Sequence, residues 1–323
     1  IGQEGGNMDE ITVPIYLITG FLESGKTSFL NFTLQQDYFY IDGKTLLILC
    51  EEGEEEYDTS MLEMSNTVVE IIEKEEDLTT ERLVAMDILH QPERVIIEYN
   101  GMWLVSNFHK LQKPKGWGVE QQITCVDGST FQVYMANMKS IFMDMVRTSD
   151  MVVFNRCKRE DPLPSYRRSI KVANQRAEVI FEDEEGELDD IFQDEMPFDV
   201  NAPVIDILPE DYGIWFVDAM DHPETYEGKT VRFKARVMKP RGMGSKFFVP
   251  GRTAMTCCAD DTTFLGYVCR SPYAPKLNPG QWVEVTAKVG IENRMEYQGE
   301  GIVLYADYVE PCEPLPDEMV YFN

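Results

Sequence analysis

Gly20-Phe21-Leu22-Glu23-Ser24-Gly25-Lys26-Thr27 fits the phosphate-binding pattern G-x-x-x-x-G-K-[ST] at every fixed position. The flanks suit the same chemistry. Residues 11–18 (ITVPIYLI) read as a short buried strand, and residues 27–32 (TSFLNF) as the start of a helix. Glycines let backbone N–H groups turn inward on a polyphosphate, and the helix N-terminus adds partial positive charge. In this pattern Lys26 reaches the β- and γ-phosphates and the Thr27 hydroxyl holds Mg²⁺. A plain glycine turn between strand and helix would not require the lysine and the threonine.

Outward from the loop, strands alternate with helices. Residues 44–50, 68–72, 94–98, 122–127, 151–155 and 177–181 are strand candidates; residues 78–90, 132–147 and 164–174 carry helical spacing. Alternation implies crossovers, hence a mainly parallel sheet with helices on both faces. Ligands of such sheets bind beyond the carboxyl ends of the strands. Glu51, Glu98, Asp127 and Asn155 fall at those ends.

From about residue 205 the pattern changes to period two. Residues 230–237, 247–258, 263–269, 282–289 and 301–308 read as five strands with Gly and Pro between them. That density suggests a small Greek-key barrel, with an OB-fold as the leading candidate. The expected organisation is a nucleotide-binding α/β domain over 8–181, an acidic linker over 182–204 and an OB-like β-barrel over 205–323. Residues 1–7 read as a lead-in to a natural start at Met8.

The net charge of −28 argues against a nucleic-acid partner, whose affinity comes largely from Lys and Arg, and against an anionic membrane surface. Residues 178–199 hold eleven acidic side chains and no Lys or Arg, the signature of a solvated linker. No apolar run is long enough to span a bilayer. The cysteine number, seven, is odd, and no secretory signal is visible; reduced thiols in a cytoplasmic protein are the expectation.

A carboxylate in the run 50–58 (CEEGEEEYD), Glu51 or Glu54, is placed to bind Mg²⁺ through water or to orient an attacking water. Glu98 ends an apolar strand where a metal-associated acid sits in phosphoryl-transfer enzymes, and the Gly101 N–H three positions on can contact a γ-phosphate. Asn155 ends the strand that should reach the base. Guanine offers two donors, N1–H and N2–H₂, so its selection calls for a carboxylate. The usual run is Asn-Lys-x-Asp; here it is Asn155-Arg156-Cys157-Lys158, with Asp161 or Glu160 as the nearest substitutes.

Together, the loop Gly20–Thr27 with Ser28, residues 51–54 (EEGE), residues 98–101 (EYNG), residues 124–131 (TCVDGSTF) and Asn155 resemble the CobW-type GTPases, a P-loop family linked to metal insertion and metal homeostasis. The resemblance spans roughly residues 11–181. It implies a P-loop NTPase that binds GTP and Mg²⁺ through Gly20, Glu23, Ser24, Gly25, Lys26, Thr27, Ser28, Gly101 and Asn155. Lys26, Glu51, Glu54 and Glu98 would serve hydrolysis, and Thr27 and Glu98 the metal. Residues 226–233 (YEGKTVRF), 255–261 (MTCCADD), 280–285 (GQWVEV) and the ending Tyr321-Phe322 resemble the small domain of predicted permease-associated subunits.

Two departures stand out. Many CobW-type chains carry Cys-x-Cys-Cys before the Glu strand, whereas no cysteine lies between Glu51 and Thr124 here; residues 73–77 (EKEED) occupy the corresponding stretch. Carboxylates favour harder ions than thiolates do. Lys158 is the second departure. Cys257, Cys258, Cys269 and Cys312 form a second candidate site, for zinc or another transition metal. Adjacent residues of a regular strand face opposite ways, so Cys257 and Cys258 could share an ion only at a bulge or turn. Small core residues are the alternative.

The expected function is a cytoplasmic Mg²⁺-dependent triphosphatase using GTP as a switch in metal homeostasis or transport. Its partners would be nucleotide and a metal-dependent client or a membrane permease. The alternative is a nucleotide-binding regulatory module for a permease with little hydrolysis.

Overall fold

The computed structural model describes residues 11–51, 53, 55–188, 196–256 and 261–320. Its contacts divide the chain into two units: residues 11–161 with 174–188, and residues 162–173 with 196–320.

The first unit is built on seven strands: β1 Val13–Thr19, β2 Thr45–Leu49, β3 Thr67–Ile71, β4 Arg94–Glu98, β5 Trp117–Asp127, β6 Met151–Asn155 and β7 Glu178–Phe181. They order as β3-β2-β4-β1-β5-β6-β7, and every pairing is parallel. The α/β expectation therefore holds. Strands of such sheets are covered on both faces, which is why β4 (RVIIE) has all five residues buried. Ile18, Leu47, Ile96, Ile123 and Val153 pack in one cluster with Leu30 of α1 (Lys26–Thr33). Truncating a side chain such as Leu47, fully buried, would cost about 2–5 kcal/mol.

The remaining helices of this unit are α2 Thr59–Met64, α3 Thr80–His90, α4 Val105–Lys110, α5 Phe131–Asn137 and α6 Lys139–Val146. The single helix expected over 132–147 is thus two. Met138 lies between them with φ −133° and ψ 30°, outside helical geometry. Since all strands are parallel, the ends of β1, β2, β4, β5, β6 and β7 open on one rim. Thr19, Leu49, Glu98, Asp127, Asn155 and Phe181 end there.

The second unit carries α7 Leu163–Ala173, strand β8 Ile205–Asp206 and helix α8 Tyr212–Asp221, the last not anticipated from sequence. Its other strands are β9 Thr230–Met238, β10 Phe247–Met255, β11 Thr262–Gly266, β12 Val268–Arg270, β13 Trp282–Arg294, β14 Gly299–Pro311 and β15 Met319–Val320. The strand expected over 263–269 is broken at Tyr267 into β11 and β12. Five strands close a ring, β9-β10-β12-β14-β13 and back to β9, with β12–β14 the one parallel pairing of the ring. The result is a small closed barrel, as the period-two pattern suggested. Val231, Phe233, Ala235 and Val237 alternate inward along β9, as a strand with one buried face must. They join Trp215 and Tyr212 of α8 and Tyr267 in one core.

A candidate nucleotide site at the carboxyl rim of the sheet

Gly25 opens α1 in the left-handed region, at φ 92°. A Cβ there would stand 2.6 Å from the Asn155 amide nitrogen, so both its backbone angle and its neighbour call for glycine. Asn155 Nδ2 donates to Ser24 O at 2.7 Å, and Arg156 Nη1 donates to Glu23 O at 2.9 Å and to Asp127 Oδ2 at 2.6 Å. The end of β6 thereby holds the loop from one side. On the other side Gly101 packs against the loop so closely that a Cβ would lie 2.5 Å from Gly20 O.

Lys26 is nearly fully buried. Its ammonium donates to Gly20 O at 3.0 Å, to Phe21 O at 2.9 Å and to Glu51 Oε2 at 2.6 Å. Its three protons are thus all engaged. Glu51 Oε1 accepts from Gly101 N at 3.4 Å. One carboxylate therefore spans the lysine and the amide that were each expected on a terminal phosphate. The cavity around these groups is small, about 30 Å³, lined among others by Gly25, Lys26, Thr27, Glu51, Glu98 and Arg156.

Thr27 Oγ1 donates to Glu98 Oε1 at 3.0 Å, and Tyr57 OH donates to Glu98 Oε2. Glu98 is 4% exposed. Burial raises its carboxyl above the usual range, against the opposing pull of Tyr57, Lys26 and Thr27. An oxygen-only pair such as Thr27 and Glu98 is the donor chemistry that a hard cation takes, and a buried carboxylate without a direct cationic partner suits one. These residues fit Mg²⁺.

Ser24 Oγ and Asn155 Oδ1 are buried without a hydrogen-bond partner among the described residues. Buried orphans are rare and often mark a place where an ion, water or ligand belongs. Ser28 is exposed and donates to Glu55. Of the sequence candidates, then, the fold brings Gly20, Glu23, Ser24, Gly25, Lys26, Thr27, Glu51, Glu98, Gly101 and Asn155 to one place. Glu54 lies outside the described residues. Tyr57 and Arg156 were not singled out by sequence. Arg156 follows Asn155 where lysine is usual, a signal that could have found it; nothing in the sequence marks Tyr57.

A profile described as the CobW/HypB/UreG nucleotide-binding domain matches residues 14–181, just over half of the chain. The chain belongs to the CobW/HypB/UreG family. A second profile, the DUF1980 C-terminal domain, matches residues 185–322. Among solved structures, Zn(II)-bound YjiA GTPase from E. coli is 17% identical with a TM-score of 0.42, over 70% of this chain and 73% of that one. The hydrogenase maturation factor HypB from Archaeoglobus fulgidus is 16% identical with a TM-score of 0.36, over 54% of this chain and 82% of that one. A comparison with curated proteins finds no match.

Within this CobW/HypB/UreG domain the thiols are not poised for metal. Cys50, Cys125 and Cys157 are buried, and burial pushes each up to about 12, so all stay protonated near neutrality. Among the described residues no group of three or more His, Cys, Asp or Glu is arranged to hold a metal ion. In the barrel, Cys257 and Cys258 lie outside the described residues. Cys269 is fully buried on β12 opposite Leu304, whereas Cys312 follows the end of β14. Seven residues of β14 lie between Leu304 and Cys312, eight steps or roughly 25 Å at the usual rise. Cys269 and Cys312 are therefore not brought together. No helix among the described residues is long and apolar enough to cross a membrane.

Proposed function

We propose that the α/β unit is a Mg²⁺-dependent triphosphatase that takes GTP and cycles between triphosphate and diphosphate forms. The observation that carries this reading is the convergence of the Lys26 ammonium and the Thr27–Glu98 pair on one small cavity beside the glycine loop, with the Gly101 amide joined to it through Glu51. Lys26 and the loop amides would stabilise charge on the transferring phosphoryl group; Thr27 and Glu98 would hold Mg²⁺, which would neutralise the phosphate oxygens. Glu51 or Glu54 would help place the attacking water. Arg156, the arginine that lines this cavity among the described residues, is held by Glu23 O and Asp127 Oδ2 rather than free to act as a finger, so slow intrinsic turnover is expected.

The five-strand ring supports reading the barrel as OB-like. Through it the nucleotide state would be conveyed to a metal-dependent client or a permease, the role implied by the CobW-type and permease-associated resemblances. Cytoplasmic location and a transition-metal cargo such as zinc belong to the same proposal. The test is γ-phosphate release from GTP and from ATP, with and without Mg²⁺, and again with Zn²⁺ added. Absence of Mg²⁺-dependent release in every condition would count against hydrolysis.

A second reading has a specific observation behind it. The Glu51 carboxylate already sits on Lys26 and Gly101, as in a module whose occupancy, rather than turnover, is the signal. Capture of a permease from native membranes by a nucleotide-loaded, non-hydrolysing chain would favour that reading.

A further inference from the structure

Guanine selection needs a carboxylate, and the expected position holds Lys158 instead. The nearest substitutes do not serve. Asp161 accepts from Lys158 N at 2.8 Å and so closes its own turn, and Glu160 is exposed. Neither lines the large cavity beside the glycine loop.

We propose that Glu182, one residue past β7, is the side chain that reads the base and selects guanine over adenine. The inference rests on the triphosphatase reading and deepens it.

Its basis is register. Phe154 of β6 pairs with Phe181 of β7 in parallel, so Asn155 and Glu182 are the next neighbours, and parallel neighbours present their side chains on one face. The backbone is fixed on both sides: Glu182 N donates to Phe154 O at 2.7 Å, and Cys157 N donates to Glu182 O at 2.9 Å. Asn155 in turn is tied to the glycine loop through Ser24 O.

The cavity supplies the room. It holds about 570 Å³, and Gly25, Asn155, Arg156 and Glu182 all line it. Gly25 and Arg156 also line the small cavity at Lys26, so the two cavities share a wall beside the glycine loop. That volume lies within the range of small-molecule sites.

Glu182 is half-buried, and its carboxylate makes no ion pair or hydrogen bond among the described residues. The neighbouring acids differ. Asp183 Oδ1 accepts from Glu185 N and Gly186 N, while Glu184 and Glu185 are exposed. Asp183 and Glu184 also line the cavity, but Asp183 is engaged in its own turn and Glu184 is exposed, which leaves Glu182 as its half-buried carboxylate without a side-chain partner among the described residues. Burial, and after it the nearby Glu187 charge, holds the Glu182 carboxyl above the usual range.

Guanine supplies two adjacent donors to one carboxylate. Adenine supplies one, N6–H₂, beside the N1 lone pair, which the carboxylate repels. Inosine keeps N1–H but lacks the 2-amino group, and so isolates half of the contact.

The experiment is calorimetric binding of GTP, ITP and ATP to the full chain with Mg²⁺. For the unaltered chain the expected order is GTP tightest, ITP weaker by about tenfold, and ATP weaker by about 100-fold, as two charge-assisted hydrogen bonds predict. In Glu182→Ala, GTP should fall to within about threefold of ATP, while ATP affinity stays as before. Unchanged ATP binding also reports an intact fold; Glu182→Gln provides a second variant of equal size with the same expected collapse. Asp161→Asn should keep the preference. A GTP preference that survives both Glu182 variants, an unaltered chain that favours ATP, or a collapse in Asp161→Asn alone would overturn the base assignment and leave the triphosphatase reading standing. An unaltered chain that binds none of the three would overturn both.

Discussion

The Lys26 ammonium lies 2.6 Å from Glu51 Oε2, and both side chains are almost fully buried. The other Glu51 oxygen faces the Gly101 amide. In the proposed cycle a terminal phosphate needs the same two donors, so nucleotide and Glu51 compete. Glu51→Ala should therefore bind a non-hydrolysable GTP analogue more tightly, by about tenfold, because no buried ion pair has to be broken first. The same variant should hydrolyse GTP more slowly if Glu51 places water. Fluorescence titration and single-turnover phosphate release read the two effects separately. An affinity equal to the unaltered chain would remove the competition.

Lys26→Ala carries two expectations. Nucleotide affinity should drop by at least about 100-fold, through loss of the charged donor to the phosphates. The nucleotide-free fold should also lose about 3–5 kcal/mol, because Glu51 is left as an uncompensated buried charge. Lys26→Met with Glu51→Gln should recover most of that stability and none of the binding. Urea unfolding followed beside nucleotide titration distinguishes the two. Stability unchanged in Lys26→Ala would mean that the ion pair does not persist in solution.

How much of this could be read from the residues alone varies from place to place, for physical reasons. The glycine loop was legible because its spacing is a backbone requirement, met within eight consecutive residues. Glu98 was legible as the polar end of a buried strand. Glu182 was not singled out, because its relation to Asn155 is a cross-strand register between residues far apart in sequence. The break at Met138 was hidden because Met135, Met138 and Phe142 carry the helical spacing of apolar residues straight through it. Helix α8 was missed for the opposite reason: Tyr212, Trp215, Phe216, Val217 and Ala219 are all buried, and a helix that is apolar on most sides shows little 3.6-residue contrast. Tyr57 reaches Glu98 from an irregular segment, where no period exists to be read.

Thiol chemistry should be silent in the α/β unit. Burial pushes Cys50, Cys125 and Cys157 up to about 12, so at pH 8 each is overwhelmingly thiol. Cys312 is only partly buried, with its thiol raised by that partial burial. Of the described cysteines it should be the first labelled by a disulfide reagent under native conditions, with Cys50, Cys125, Cys157 and Cys269 reacting only on unfolding. Peptide mapping after brief labelling checks this. Fast labelling of Cys50 or Cys125 would show the rim of the sheet to be far more open than the structure has it.

The pH dependence of the nucleotide-free protein should follow Glu98. Its folded carboxyl is raised above the unfolded value of 4.5, chiefly by burial. A raised carboxyl means that the folded state holds its proton more firmly than the unfolded one. The corresponding stability is fully present below pH 4.5 and is lost as pH climbs through the raised value. Above that value Glu98 is a buried anion, and a cation beside Thr27 becomes worth most. Two trends follow, each with its own sign. Without ligand, Glu98→Gln should be more stable than the unaltered chain at neutral pH, and the difference should vanish toward pH 4.5. With GTP and Mg²⁺ the order should reverse at neutral pH, since the variant has lost an anionic partner for the cation. Thermal melts across that pH range, with and without nucleotide and Mg²⁺, read both. A Glu98→Gln melt that runs parallel to the unaltered one at every pH would mean that Glu98 is not the titrating group.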